Sequence, residues 1–447
     1  MAISFQQPSA TPRASFRRYA GVLLLAILML GIGGGYLYQT GIPQNNPQQS
    51  LPSLQIGSNR VQAAQPARAD FSIRVILTDE PVGELKVEID GPYRIQLTGN
   101  GQVLGRELRG SGSIRVTKTG FLWGKKEYHA SQIELVPEKS PGVWVNEHQY
   151  RGIVRLLRRR GQTLVAVNVL PLEEYLASVI DSEMPKAFPT AARQAQAIMA
   201  RSFALYQIHI RSREFFDVYA GVQSQKYLGY QYRDAAGRRL AGESTESRAV
   251  VEQTRGMVCL DRGKLFRTYY SAVCGGSTTS GREIFPDTPI WLTGVPCTWC
   301  SAADRYRWKT EFDRKEFFKQ IGPLLQAENV QDTRATQVAD QRISAVEPLP
   351  HAQPGLLPRF LVTHQGRQRV LTGVEIRNEM GTSTLYSPKF SLEPTSSQIH
   401  VRGSGHGHGV GLCQWGARGL ALEGKTCLEI VKYYYPRADV VVLEPAR

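Results

Sequence analysis

From Phe71 onward, apolar and polar residues alternate along the chain. The runs Phe71-Ser-Ile-Arg-Val-Ile-Leu, Leu85-Lys-Val-Glu-Ile, Tyr93-Arg-Ile-Gln-Leu and Ile114-Arg-Val repeat with period two. That period puts successive side chains on opposite faces of a strand, so each run predicts a half-buried strand. Gly, Asp and Pro separate the runs and supply the turns. Val154-Arg-Leu-Leu and Leu164-Val-Ala-Val-Asn-Val continue the pattern, so residues 70–170 read as β-rich.

At Pro171 the period changes. Proline suits the first turn of a helix, and Glu173 and Glu174 complement the positive end of its dipole. Leu172, Tyr175, Leu176, Val179 and Ile180 recur at helical spacing and predict a core face. Pro185 is incompatible with a helix interior, so this helix should end near Ser182 or Glu183. A second helix is predicted from Pro189 to about Arg211, dense in alanine and so able to pack closely. Residues 213–300 read as mixed strand and loop. Residues 311–328 read as a helix, Phe360-Leu-Val-Thr and Gln368-Arg-Val-Leu as strands, residues 374–380 as a short helix, residues 427–435 as a helix, and Val440-Val-Val-Leu as a closing strand. The pattern is that of an α+β protein with a central helical segment at 171–211.

The N-terminus bears on compartment. Residues 1–18 are basic, with Arg13, Arg17 and Arg18, and residues 19–40 form an uncharged stretch. About 20 apolar residues span a bilayer as a helix, so one transmembrane anchor is expected here. The basic flank puts the N-terminus in the cytoplasm and the rest outside, in the periplasm or on the cell-wall side. A cleaved signal peptide is the rival; no convincing Ala-x-Ala cleavage site follows Leu30, which favours the anchor. Residues 41–69 are rich in Pro, Gln, Asn and Ser, a linker composition. The globular part is then 70–447, with a β-rich portion at 70–170 and a catalytic portion at 171–447.

Charge narrows the partners. Fifty-four Lys and Arg against 39 Asp and Glu leave +15, which suits an anionic surface or polymer. No nucleic-acid-binding signature accompanies the excess, and Arg155 to Arg160 reads as a solvated strand end, so no nucleic-acid partner is expected.

Two constellations invite chemistry. Glu183 stands at a helix end, directly before Met184-Pro185. A carboxylic acid with a raised pKa can act as a proton donor, and apolar walls such as Met184 and Phe188 would raise the pKa of Glu183. Asp181 competes, and Asp217 or Glu375 remain open as a second carboxylate. The other constellation is Arg402-Gly-Ser-Gly-His-Gly-His-Gly-Val-Gly-Leu-Cys-Gln-Trp-Gly416. In an extended conformation His406 and His408 would point to one side. With little apolar contact to lose, each is expected to matter little to stability. The six cysteines leave alternatives open. Cys274, Cys297 and Cys300 are expected to lie together, either as three thiolates of a zinc site completed by His406 or His408, or in disulfides. Cys259, Cys413 and Cys427 read as buried or paired cysteines. A zinc hydrolase built on the two histidines and cysteines is a further reading.

These segments together resemble the SpoIID/LytB family of peptidoglycan-active proteins. The resemblance rests on Glu174 to Leu205, Tyr269-Tyr-Ser-Ala-Val-Cys-Gly-Gly-Ser-Thr278, Leu371-Thr-Gly-Val-Glu-Ile-Arg377 with Tyr386-Ser387, the Gly/His loop, and Tyr433-Tyr-Tyr-Pro436, in the same order across roughly residues 70–445. Gln225, Tyr227 and Gly229 match a weaker block. The resemblance implies a lytic transglycosylase or a modulator of a cell-wall amidase. Glu183 would be the single acid/base, and no cofactor would be required. Glycan strands of peptidoglycan would be held by Arg201, Tyr270, Ser271, Gly275, Gly276, Arg377, His406, His408, Gln414 and Trp415. Arg201 and Arg377 would meet muramic carboxylates, with structural ion pairs as the alternative; Trp415 would offer a stacking face, or belong to the core. Some members bind zinc through the motif cysteine and a following His; here Ser277, Thr278 and Thr279 follow Cys274 instead.

Overall fold

The computed structural model describes residues 71–326, 336–337, 344–350 and 355–443. All belong to one compact unit, Ala64–Arg447. The expected anchor at 19–40 and linker at 41–69 lie outside the described residues. Among those described, no helix is long and apolar enough to cross a membrane.

The predicted alternation becomes two packed sheets. One has seven strands in the order Val218–Tyr219, Ser72–Ile76, Thr163–Pro171, Ile153–Arg159, Gln132–Pro137, Tyr93–Leu97 and Val103–Glu107. The other has eight: Arg239–Ala241, Gln231–Arg233, His148–Tyr150, Val143–Val145, Glu84–Ile89, Gly110–Val116, Phe121–Trp123 and Lys126–Tyr128. One face of each meets a shared core containing Ile73, Val75, Leu85, Val87 and Ile95. Thr163–Pro171 is buried on both faces. Leu164 and Ala166 enter the shared core, while Val165 and Val167 pack with Phe216 on the other side. Such double burial explains why its sequence is nearly continuous in apolar residues.

Helix α1, Leu172–Glu183, follows directly. Its buried face holds Leu172, Tyr175, Leu176, Val179 and Ile180, as the spacing predicts. Helix α2, Thr190–Ile210, lies between two cores. Ala197, Ala200 and Ala204 face the sheet core, and Ala192, Ala195, Ile198 and Met199 face a second core. The small side chains let both neighbours approach the helix axis.

Helix α3, Thr245–Gln253, falls where the sequence reads as strand and loop; a Ser244–Ser247 capping box starts it. The expected helix at 311–328 is shorter. Trp308–Asp313 is a strand paired with Gln398–Gly403. Asp313 then caps α4, Arg314–Ile321, by accepting from Lys315 N and Glu316 N. Strand pairing, a non-local interaction, overrides the local helical pattern before Asp313. Helix α5, Gly373–Met380, sits with α4 on a third core of Trp308, Phe317, Phe318, Phe360, Leu371 and Ile399. The chain closes with α6, Gln414–Leu422, then α7, Cys427–Tyr434, and the strand Asp439–Val442 against Met257–Asp261.

Candidate active site

Glu183 is the last residue of α1, where the chain leaves the sheet core and Met184 enters the second core. The segment 225–228 runs along α1 and is pinned to it. Tyr175 Oη donates to Gln225 Oε1 at 3.1 Å, and Leu228 N donates to Ser178 Oγ at 3.2 Å. The same segment delivers the Lys226 backbone N–H to Glu183 Oε1 at 2.8 Å. Burial is the largest influence on the Glu183 carboxyl and raises its pKa. The Lys226 N–H, the Gln414 side chain and the Lys226 charge pull the other way without reversing it. A carboxyl with a raised pKa holds its proton to higher pH than an exposed one. Met184 is buried beside it, and Phe188 meets Trp415 edge-on at 5.4 Å between ring centroids.

The competing carboxylates are occupied elsewhere. Asp181 accepts from the buried Arg193 guanidinium. Asp217 receives both the backbone and the side chain of Arg74. Glu375 completes the capping box of α5 and pairs with Arg369 at 3.0 Å. None of the three is among the groups acting on Glu183.

Tyr270 and Ser271 form a short parallel pairing with Leu412 and Cys413. This register puts Gln414, which starts α6, against Glu183. Gln225 Nε2 donates to Tyr270 Oη at 3.0 Å, which joins Tyr270 to the network beneath the acid. Ser271 Oγ is buried with no hydrogen-bond partner among the described residues.

The Gly/His loop is not extended. Gly405, Gly407, Gly409 and Gly411 all have positive φ, so every second residue reverses the usual backbone hand. A Cβ on Gly411 would lie 2.1 Å from Tyr435 Oη and 2.2 Å from the Tyr269 carbonyl; one on Gly405 would lie 2.6 Å from the Val273 carbonyl. The glycines let the loop thread against residues 269–275, and Val273 and His406 exchange backbone hydrogen bonds at 3.1 and 2.7 Å.

The two histidines therefore have different surroundings. His406 is exposed, beside the Tyr386 ring at 5.8 Å, and the Arg305 guanidinium lies 3.8 Å over the same tyrosine ring. His408 packs against Tyr269 and Phe285, and its Nδ1 accepts from Val410 N at 3.0 Å. Burial pushes its pKa down to about 4, so it is neutral at pH 7. His408 is a loop staple, which corrects the expectation that both imidazoles face one side and contribute little to packing.

Arg201 takes the ion-pair alternative in the structure. It is 1% exposed and commits its guanidinium to both Glu173 oxygens, at 2.9 and 2.7 Å, and to the Met257 and Val251 carbonyls. The Arg201–Glu173 pair ties α2 to α1. Arg377 is half-buried and donates to the Leu385 carbonyl at 2.8 Å and the Tyr386 carbonyl at 3.3 Å, with no carboxylate paired to it among the described residues. Burial lowers its pKa, and its charge acts on both histidines. Trp415 is half-buried, with one ring face towards Arg418 at 5.3 Å. Gly275 and Gly276 have positive φ, and a Cβ on Gly275 would strike Gly405 N and Ser404 at 2.7 Å.

Cys274, Cys297 and Cys300 lie together, and the fourth sulfur beside them is that of Cys413, not an imidazole nitrogen. All four are buried, and their sulfurs lie within 4.8 Å of one another. His406 and His408 stand outside this group, which removes the geometry that a histidine-based zinc hydrolase would need. Lys226, Arg305 and Cys413 are absent from the site as read from sequence. Lys226 acts through its backbone N–H and its charge on Glu183, and Arg305 through a ring contact with Tyr386 and its charge on His406, so neither carries a local signal. Cys413 had one: it stands one residue before Gln414.

Residues 160–260 match the model of the SpoIID family, described as stage II sporulation protein. Residues 299–411, which include most of the third core, match a domain of unknown function, DUF8618. An uncharacterised protein of Brachyspira hyodysenteriae is 29% identical over 69% of this chain and 76% of its own length. Stage II sporulation protein D of Bacillus subtilis is 27% identical over 62% of this chain and 76% of its own length. The amidase enhancer of Bacillus subtilis is 22% identical over 58% of this chain and 39% of its own length. The SpoIID match takes in the helix pair that presents Glu183, and with relatives of both names the chain carries a SpoIID family domain and is similar to the SpoIID/LytB proteins.

Proposed function

We propose that this protein is a lytic transglycosylase of peptidoglycan, with Glu183 as its single acid and base. The observation that carries the reading is one carboxyl at a helix end, raised in pKa by burial and held by the Lys226 N–H and Gln414, with no second carboxylate acting on it among the described residues. A two-acid hydrolase needs a partner carboxylate to activate water or attack the sugar. In the proposed reaction protonated Glu183 gives its proton to the oxygen between N-acetylmuramic acid C1 and N-acetylglucosamine. The C1–O bond breaks. The Glu183 carboxylate then takes the proton of the muramic 6-hydroxyl, whose oxygen bonds to C1. The product carries an anhydro ring, no water is consumed, and Glu183 returns to its protonated form.

His406, Arg377 and Trp415 would line the glycan, and the net +15 suits an anionic cell-wall polymer. We place the globular part outside the cytoplasmic membrane, tethered through residues 19–40. A second reading, a non-catalytic glycan binder that stimulates an N-acetylmuramoyl-L-alanine amidase, is favoured by the similarity to the amidase enhancer of Bacillus subtilis.

Mass spectrometry of purified sacculi after incubation with the protein separates these readings. Anhydro-muramic ends that disappear with Glu183→Gln are expected. Reducing ends would mean hydrolysis. No cleavage even of peptide-stripped strands, with faster amidase turnover, would establish the modulator.

A further inference from the structure

The four-sulfur cluster adjoins the candidate active site through Cys413, the residue before Gln414, and is not used by the proposed reaction. Its cysteines come from three separate places in the chain. Cys274 follows the strand Tyr270–Ser271; Cys297 ends the short strand Pro296–Cys297, paired with Gly276–Ser277; Cys300 follows in the next turn; Cys413 caps α6. The fold thus brings a Cys-x-x-Cys pair to two cysteines 139 residues apart.

The spacing is that of ligands around one ion. Cys274 Sγ and Cys300 Sγ are 3.6 Å apart, and no pair of the four exceeds 4.8 Å. Four thiolates at about 2.3 Å from a tetrahedral zinc ion would lie about 3.8 Å from one another. A disulfide would need about 2.05 Å. All four cysteines are free.

The surroundings fit anionic sulfur. Cys413 Sγ accepts from Cys274 N and from Gly416 N, both at 3.3 Å, and the Tyr434 hydroxyl lies 3.3 Å from Cys297 Sγ. Lys389 brings an ammonium group to the cluster's edge: Nζ donates to the Cys274 carbonyl at 3.1 Å and to the Ser277 carbonyl. No carboxylate pairs with Lys389 among the described residues. Lys389 is half-buried, and a lysine drawn from water without an acidic partner is costly unless other negative charge balances it. Zinc held by four thiolates carries two net negative charges and supplies that balance. Gly416 also fits, because a Cβ there would lie 2.5 Å from Cys297 Sγ.

We propose that Cys274, Cys297, Cys300 and Cys413 bind one zinc ion in a closed, structural site. Four protein ligands leave no position for water or substrate, so the ion holds structure rather than reacting. It joins the Gly275-Gly276 segment, the Cys-x-x-Cys turn and the start of α6. Gln414, the residue after a ligand, is thereby held against Glu183.

The test uses the full chain, purified without added metal. Elemental analysis is expected to return one zinc per chain, and X-ray absorption at the zinc edge four sulfur neighbours at about 2.3 Å. Four thiols should become titratable only when zinc is displaced. Cys413→Ser should lower zinc content, while Cys259→Ser and Cys427→Ser should retain one equivalent. If Cys413→Ser fails to fold, the absorption spectrum of the parent still decides the ligand set. Absence of metal, nitrogen or oxygen ligands at the zinc edge, or a disulfide among these four would overturn the proposal. Each readout is independent of glycan cleavage, so an inactive protein that holds zinc would leave this site standing, and an active protein without zinc would remove only this site.

Discussion

The backbone N–H of Lys226 reaches Glu183 Oε1 at 2.8 Å and fixes the carboxyl at the end of α1. The two residues are 43 positions apart, and the contact exists because Ser178 and Tyr175 hold the same segment along the helix. The carboxyl is therefore oriented by main chain, and side-chain substitution at residue 226 leaves its hydrogen bond in place. Lys226→Ala is expected to change cleavage far less than Gln414→Ala, as measured by the yield of anhydro ends.

Glu183 should also leave a mark on stability against pH. Burial raises its folded pKa above the ordinary 4.5. Its contribution is then complete below 4.5 and is lost as pH rises through the raised value. Glutamine does not titrate. The melting temperature of Glu183→Gln relative to the parent is expected to increase with pH across that window. A difference that stays constant from pH 4 to pH 8 would contradict a raised folded pKa.

The two histidines should separate in mutagenesis. His408→Ala leaves the Val410 N–H without its acceptor and removes a ring packed on Tyr269 and Phe285. A loss on the order of 1–3 kcal/mol is expected in denaturant unfolding. His406 is exposed, so His406→Ala should cost less than about 0.5 kcal/mol while slowing glycan cleavage. Equal stability losses would mean that the loop packs both rings alike.

Arg201→Ala is expected to be among the most damaging single changes. It strands the largely buried Glu173 carboxylate and removes donors from two carbonyls. Breaking such a pair costs about 3–5 kcal/mol. Arg201→Ala with Glu173→Ala should recover part of that loss, which a double-mutant cycle in urea would measure.

Gly411→Ala tests the threading of the loop. Its Cβ would meet Tyr435 Oη and the Tyr269 carbonyl at a φ of +74°. The oxygen is backbone and cannot swing away, so a loss of about 1–3 kcal/mol is expected in thermal or urea unfolding. Gly424→Ala, with nothing within 4 Å, should lose only what its own positive φ imposes.

Local pattern by itself determined the two-period layout of this protein. Alternation specified strands at Ser72–Ile76, Glu84–Ile89 and Tyr93–Leu97, and proline punctuation bounded α1 and α2 almost to the residue. Those signals are short-range: a side chain's face follows from its own period, and proline acts on its own turn. The Glu183 turn and the Gly/His loop were legible for the same reason, as dense local departures from ordinary composition. Tertiary structure alone decided what these residues touch. It turned 308–313 from helix to strand through pairing with Gln398–Gly403, and buried Arg201 against Glu173. It gave His406 and His408 different neighbours through alternate positive-φ glycines, and it brought Cys413 to three cysteines more than a hundred residues away. Each of these depends on contacts between distant segments, whose geometry is set by packing and not by neighbours in sequence.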